Sequence, residues 1–304
     1  MSPTRSSAIA ASALLLSTLA TTPAGAASAP ATTATSAATA TAACTMTVGS
    51  VTAGGDIGYS NVSAGSPVTA RQGTAVHLFT PGVAKTSSTW THNPKSASGD
   101  ITVGTVLLNT TLYSSWYGTD LQGKPTSGMN GVGRNHGGYR MIENSAPWTG
   151  GGTAASYRLR GDGVLYRWIY NLGDPYGSAV VTPLSGFAAV KSMALISETK
   201  TYDTFLANTR SGGLYTIHIP RTGKPVVTKV RSSTWQTFEH LVAERCGTQS
   251  TLLTAIDKET GNAYLYAVGH GATVIKGLGK IPGTYKDPVY YLRTTSTVPP
   301  LYGE

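Results

Sequence analysis

Groups able to do covalent chemistry are few in this chain and widely spaced. Its 14 acidic residues and six histidines are scattered over 304 positions. Glycoside hydrolysis needs two carboxylates in one cleft, and no short spacing pairs the acids here. His77, His92, His136, His218, His240 and His270 form no His-Glu-x-x-His or other close ligand pattern. His136 and His270 lie among glycines and read as exposed loop histidines. No Gly-x-Ser-x-Gly elbow is present to seat a nucleophilic serine. Gly277-Leu278-Gly279-Lys280 lacks the earlier glycine of a phosphate-cradling loop. The expectation is a protein without a metal or organic cofactor.

Recognition chemistry is better supplied. A sugar is held by an aromatic face under the apolar side of its ring, with polar groups beside it that fix orientation. Trp235 and Trp168, with Asn208, Asp257, Asp162 and Arg167, are the candidates for such contacts. Asp162, Asp257 and Asn208 flank turns, where these side chains also bond local backbone. Trp116, Trp148 and Tyr139 lie in and beside a glycine-rich stretch, 118–152. That stretch reads as long exposed loops, where binding residues often reside.

The elements that must position these residues are short strands. Glycine accounts for 36 residues and tyrosine for 16, and short Val/Ile/Thr/Tyr runs are separated by Gly, Asp, Asn and Pro, the punctuation of many strands. Three segments align without gaps: 163–168, 212–217 and 261–266. They place Tyr166, Tyr215 and Tyr264 at intervals of 49 residues. Each follows another strand-like run (156–160, 204–208 and 251–257) across a glycine-containing hairpin turn. A third run comes next, at 179–182, 225–228 and 272–275. A fourth is read at Phe187–Met193 and Trp235–Leu241. Taken alone that fourth run also suits a short helix, but four strands in 46 to 49 residues is the economical unit.

One four-stranded sheet cannot bury both faces, whereas sheets set radially cover one another. The chain therefore reads as an all-β β-propeller. Strand alternation turns Tyr166, Tyr215 and Tyr264 one way and Leu165, Leu214 and Ala263 the other. The N-terminal half is less regular, with candidate strands at 73–79 and 111–117. The 261 residues from Cys44 onward hold about five units, so five blades are expected.

The best copy of the repeat is Trp235-Gln236-Thr237-Phe238-Glu239-His240-Leu241, then 251–257, then Gly261-Asn262-Ala263-Tyr264-Leu265-Tyr266. It resembles the tachylectin-2-like β-propellers, over roughly residues 155–280. That resemblance implies five blades and binding of N-acetylated amino sugars. Phe187 stands where the family pattern has tryptophan, and Ala263 replaces the leucine of its Leu-Tyr pair. The blades also differ strongly from one another, which argues against five equivalent sites. Sialidase-type propellers repeat Ser-x-Asp-x-Gly-x-Thr-Trp, of which Ser232-Ser233-Thr234-Trp235 is a fragment without the Asp or the Gly.

The ends of the chain point to export. Arg5, the apolar run from Ile9 to Leu16 and Ala24-Gly25-Ala26 read as a secretory signal, residues 1–26. Residues 27–43, nearly all Ala, Thr, Ser and Pro, read as a flexible linker, and 44–304 as one propeller domain. No run is long and apolar enough for a transmembrane helix. Cys44 and Cys246 are the two cysteines, and an oxidising compartment predicts one disulfide. Strands from both termini sharing one blade would close the ring, and this bond would staple the seam. The net charge is +9, yet charged residues make up only 12 % of the chain and the basic ones are dispersed, which argues against nucleic-acid binding.

The leading expectation is a secreted lectin-like protein whose partner is a glycan or cell-wall polysaccharide. The alternatives are a secreted polysaccharide-acting glycoside hydrolase and a non-catalytic scaffold for a protein partner.

Overall fold

The computed structural model describes residues 44–146, 153–171, 179–272, 274–296 and 301. The expected signal and linker, and Trp148, lie outside the described residues. What is described is all-β, with no α-helix.

The 22 strands fall into one ten-stranded sheet, whose two halves meet at a parallel pair, and three four-stranded sheets. Strands β1 (Thr45–Thr52), β2 (Asp56–Ser63), β3 (Thr69–Gln72) and β4 (Val76–His77) open the chain. They are followed by β5 (Ala84–Ser87), β6 (Trp90–Ser96), β7 (Gly99–Leu108), β8 (Thr111–Thr119) and β9 (Pro125–Gly133). Three regular sheets come next. The first holds β10 (Tyr139–Ser145), β11 (Thr153–Arg160), β12 (Leu165–Asn171) and β13 (Val180–Leu184). The second holds β14 (Val190–Glu198), β15 (Tyr202–Thr209), β16 (Leu214–Pro220) and β17 (Val226–Arg231). The third holds β18 (His240–Cys246), β19 (Ser250–Asp257), β20 (Asn262–Val268) and β21 (Ile275–Ile281). The last strand, β22 (Pro288–Ser296), pairs antiparallel with β1, so strands from both ends of the described chain share a sheet.

Burial follows position within each sheet. The second strands β11, β15 and β19 are buried almost along their length. They are covered on both faces, so Phe205-Leu206-Ala207 runs apolar without alternation. The outer strands β13 and β17 are mostly exposed. The innermost strands β22, β5, β10, β14 and β18 each touch the next, and β18 touches β22 again. Apolar clusters fill the spaces between successive sheets in the same cyclic order. Tyr290, Trp90 and Val106 lie in one, and Leu107, Leu112 and Ile142 in the next. Tyr157, Phe205 and Leu195 follow, then Leu206, Trp235 and Leu253, then Met46, Leu252 and Tyr285.

Several strand assignments need correction. Phe187 and Trp235 precede strands β14 and β18 and sit in turns, with Val190 N donating to Phe187 O at 3.1 Å and Phe238 N to Trp235 O at 3.4 Å. The strand that follows pairs with the next hairpin, so the fourth run is the innermost strand of the following sheet. Its aromatic residue wedges between two sheets, which the repeat order alone does not show. Of 73–79 only Val76–His77 is strand, and the described part of the glycine-rich stretch, 118–146, carries β9 and β10 in place of long loops. In β7 and β9 a neighbouring ring occupies the space that a glycine leaves. A Cβ on Gly104 would meet the buried Trp90 indole at 2.5 Å, and one on Gly128 would meet Trp116 at 2.4 Å.

Cys44 and Cys246 form a disulfide. It joins the start of β1 to the end of β18, and so ties the sheet shared by both termini to its neighbour.

Candidate functional site

The expected ligand residues do not converge. Trp235 is 6 % exposed and packs against Phe238 and Tyr266, with ring centroids at 5.4 and 5.2 Å. Asn208 is fully buried and staples that turn from the neighbouring sheet, donating Nδ2 to Trp235 O at 2.7 Å and Phe238 O at 2.8 Å while its Oδ1 accepts from Ser192 N at 3.0 Å. Arg167, buried, donates to Pro220 O across the next inter-sheet space. Asp162 accepts from Arg160 and from Val164 N, and Asp257 accepts from Thr260 N at 3.0 Å, so both serve turns. Asp162 is held below the usual carboxylate range by the Arg160 guanidinium. Trp168 is half-buried, with the Arg158 guanidinium 4.2 Å over its ring and His136 at its edge.

A polar and aromatic cleft lies elsewhere, where β22 and β6 run parallel and join the two halves of the ten-stranded sheet. Register builds it. Thr294, Thr47 and Asn61 lie opposite one another across β22, β1 and β2 on one side. Ser296, His92, Thr102 and Tyr117 do the same across β22, β6, β7 and β8 on the other. Alternation puts Tyr59 on the face of Asn61, and Asp100 and Thr119 on the face of Thr102 and Tyr117. The two walls enclose about 460 Å³ between tyrosines.

The cleft is braced from behind. Tyr59 lies against Gly73, where an added Cβ would meet the ring at 2.1 Å. Tyr117 rests on the buried Trp90 at 5.7 Å, and burial raises its phenol pKa. Thr47 Oγ1 donates to Asn61 Oδ1 at 2.8 Å, which leaves the Asn61 amide hydrogens outward. His92 Nε2 bonds Asp100 Oδ1 at 2.6 Å, leaving the second carboxylate oxygen as an acceptor. The site thus offers aromatic surface, amide donors and a carboxylate acceptor in one cleft. Sequence reasoning missed these residues. The available signal was a hairpin about Pro94–Gly99, which sets His92 opposite Thr102 and diagonal to Asp100.

The space enclosed by the innermost strands holds the acids that a hydrolase would need, but they are engaged. Arg293 donates to both oxygens of Glu244 at 3.1 Å and lies 3.5 Å from Glu198. Glu143 accepts backbone N–H groups from Thr89 at 3.0 Å and Asn144 at 2.9 Å. Asp203, fully buried, is held by Arg221, Ser145 and Tyr157.

Burial raises the carboxyl of Glu198 to about 7, opposed by Arg293 and reinforced by Asp203, Glu143 and Glu244. The folded protein therefore keeps a proton that the unfolded chain releases near 4.5. That stability is complete below the unfolded pKa and is lost as pH rises through 7. Glu198→Gln should gain on the parent protein between pH 5 and pH 8, by about 3 kcal/mol at the upper end. Denaturant midpoints of the two proteins across that range check this, and a constant difference would refute it.

No protein-family model matches the chain, and no curated protein matches it. Among solved structures, the BP39L lectin from Burkholderia pseudomallei is similar at 15 % identity, over 77 % of this chain and 69 % of its own, with a TM-score of 0.42. A fungal lectin with a six-bladed propeller fold, from Aleuria aurantia, is similar at 14 % identity over 78 % of each chain, with a TM-score of 0.40. The WD40 domain of SCAP from fission yeast is similar at 10 % identity over 78 % of this chain and 69 % of its own, with a TM-score of 0.37. At identities of this size the ligands of those proteins do not transfer to this chain.

Proposed function

We propose that the chain is an exported five-bladed β-propeller that binds carbohydrate in the cleft between Tyr59 and Tyr117. The cyclic contacts of five innermost strands and the apolar fillings between successive sheets support the blade count. The disulfide favours an oxidising compartment, and no helix among the described residues is long and apolar enough to cross a membrane.

The observation that carries the ligand class is the make-up of the cleft. Two tyrosines on opposite walls flank Asn61, Asp100 and His92. Aromatic faces cover the apolar side of a pyranose, while the Asn61 amide and Asp100 oxygen orient its hydroxyls. The hydrolase alternative is less favoured because Glu244 is spent on Arg293 and Glu143 on backbone N–H groups, which leaves Glu198 without a free carboxylate partner. Trp235, Asn208 and Arg167 act in this reading as the frame between blades.

Purified protein on a broad glycan and polysaccharide array tests the proposal. Selective binding is expected, weakened about tenfold or more by Asp100→Asn at an unchanged melting temperature, and by Tyr117→Ala measured on the folded fraction because that ring also packs on Trp90. Binding that survives both substitutions would remove the cleft as the site. A folded protein that binds no glycan would end the lectin reading.

A further inference from the structure

The space between the innermost strands has a second feature, apart from the tyrosine cleft. At the end where β10, β14 and β18 begin, cations step from sheet to sheet. Arg140 donates Nη1 to Lys191 O at 3.0 Å and Nη2 to Val190 O at 2.7 Å. Lys191 Nζ reaches Gln236 O and, at 2.7 Å, Glu239 Oε1. Lys258 Nζ donates to Val289 O at 3.0 Å. Arg210 is exposed and spends one nitrogen on Ala188 O.

These contacts cap strand-end carbonyls, but they do not neutralise the charge. Arg140, Lys191, Arg210 and Arg293 line a cavity of about 270 Å³, opposed among its described lining residues by Glu143 and Glu239. The charge is concentrated enough to act on its neighbours. Arg210 lowers the pKa of Arg140 after burial has done so, and Lys258 and Lys191 add to the burial that drives His240 down to about 3. His240 is therefore a neutral wall residue at pH 7. The Nε of Arg140 is buried without a protein partner, and a buried donor of that kind calls for an acceptor. The side chains of Lys191 and Glu239 are 24 % and 30 % exposed, so the end is open to solvent.

We propose that this mouth binds a phosphate dianion, either free or carried on a small sugar. Four lining cations against two carboxylates leave an excess of two positive charges, which favours a doubly charged group over a monoanion. Arg210, with one nitrogen spent on Ala188 O, keeps donors for phosphate oxygens, while Arg140 and Lys191, which already bond protein oxygens, add charge.

Calorimetric titration of the full protein at pH 8 with inorganic phosphate tests the proposal, with sodium chloride at equal ionic strength as the control. Glucose 6-phosphate and glucose form the second pair of probes. Saturable binding of phosphate is expected, with glucose 6-phosphate tighter if the dianion is carried on a sugar and equal or weaker if it is free. Glucose alone should not bind there. Arg210→Gln, which removes an exposed side chain, should weaken binding about tenfold at an unchanged melting temperature, and Arg210→Lys should restore much of it. Tyr117→Ala should leave phosphate binding intact, so failure of the glycan cleft and failure of this site are told apart. Titration no different from chloride, or equal affinity in Arg210→Gln and in Lys191→Gln, would overturn the proposal.

Discussion

Replacing Cys44 and Cys246 together by serine should lower the stability of the protein by about 5 kcal/mol. The bond closes a loop with a sequence separation of 202 residues, and the chain-entropy relation gives about that value for a loop of this length. For a domain of this size the loss corresponds to a melting temperature lower by about 10–20 °C. Position adds to the argument. Cys246 is 2 % exposed and ends an innermost strand, while Cys44 leads into the strand that pairs with β22. Without the bond, the sheet shared by both termini is held to its β18 neighbour by the apolar cluster around Met46, Leu252 and Tyr285. Urea unfolding of the parent and the double variant, both under non-reducing conditions, measures the difference. A shift below 1 kcal/mol would mean that the denatured chain stays compact enough to make the cross-link redundant.

The second large effect concerns Trp235. Its substitution by alanine should cost about 3–5 kcal/mol, the range for emptying a buried indole site. Phe238, Tyr266, Leu241 and Leu253 surround the ring, and their sheets are fixed, so the cavity cannot close freely. The Asn208 bonds to the Trp235 and Phe238 carbonyls are to backbone and survive the change. Glycan affinity per folded molecule should be unaltered, because the cleft between Tyr59 and Tyr117 belongs to a different pair of sheets. Denaturation with binding measured on the folded fraction separates the two quantities. A variant with the parent's unfolding midpoint and no glycan binding would return Trp235 to the role of a ligand residue.

The sequence by itself carried the all-β class, the hairpins with 49-residue spacing and the faces of their strands. Leu165, Leu214 and Ala263 are buried and Tyr166, Tyr215 and Tyr264 half-buried, as alternation requires. These features are local: period 2, glycine at turns and β-branched runs are set by near neighbours in the chain. The disulfide was equally legible, because two cysteines allow one pairing within the chain. The tertiary structure alone decided which sheet each strand joins, where the wedge aromatics sit and what faces the cleft. Phe187 and Trp235 look like strand residues by pattern, yet each opens a turn that leads into the next sheet. Tyr59, Asn61, His92, Asp100 and Tyr117 share no repeat and no motif. They meet only because β22 brings the end of the chain between β1 and β6 and aligns two registers around one seam. Pairing partners that far apart are chosen by the closure of the whole set of sheets, which no local spacing encodes.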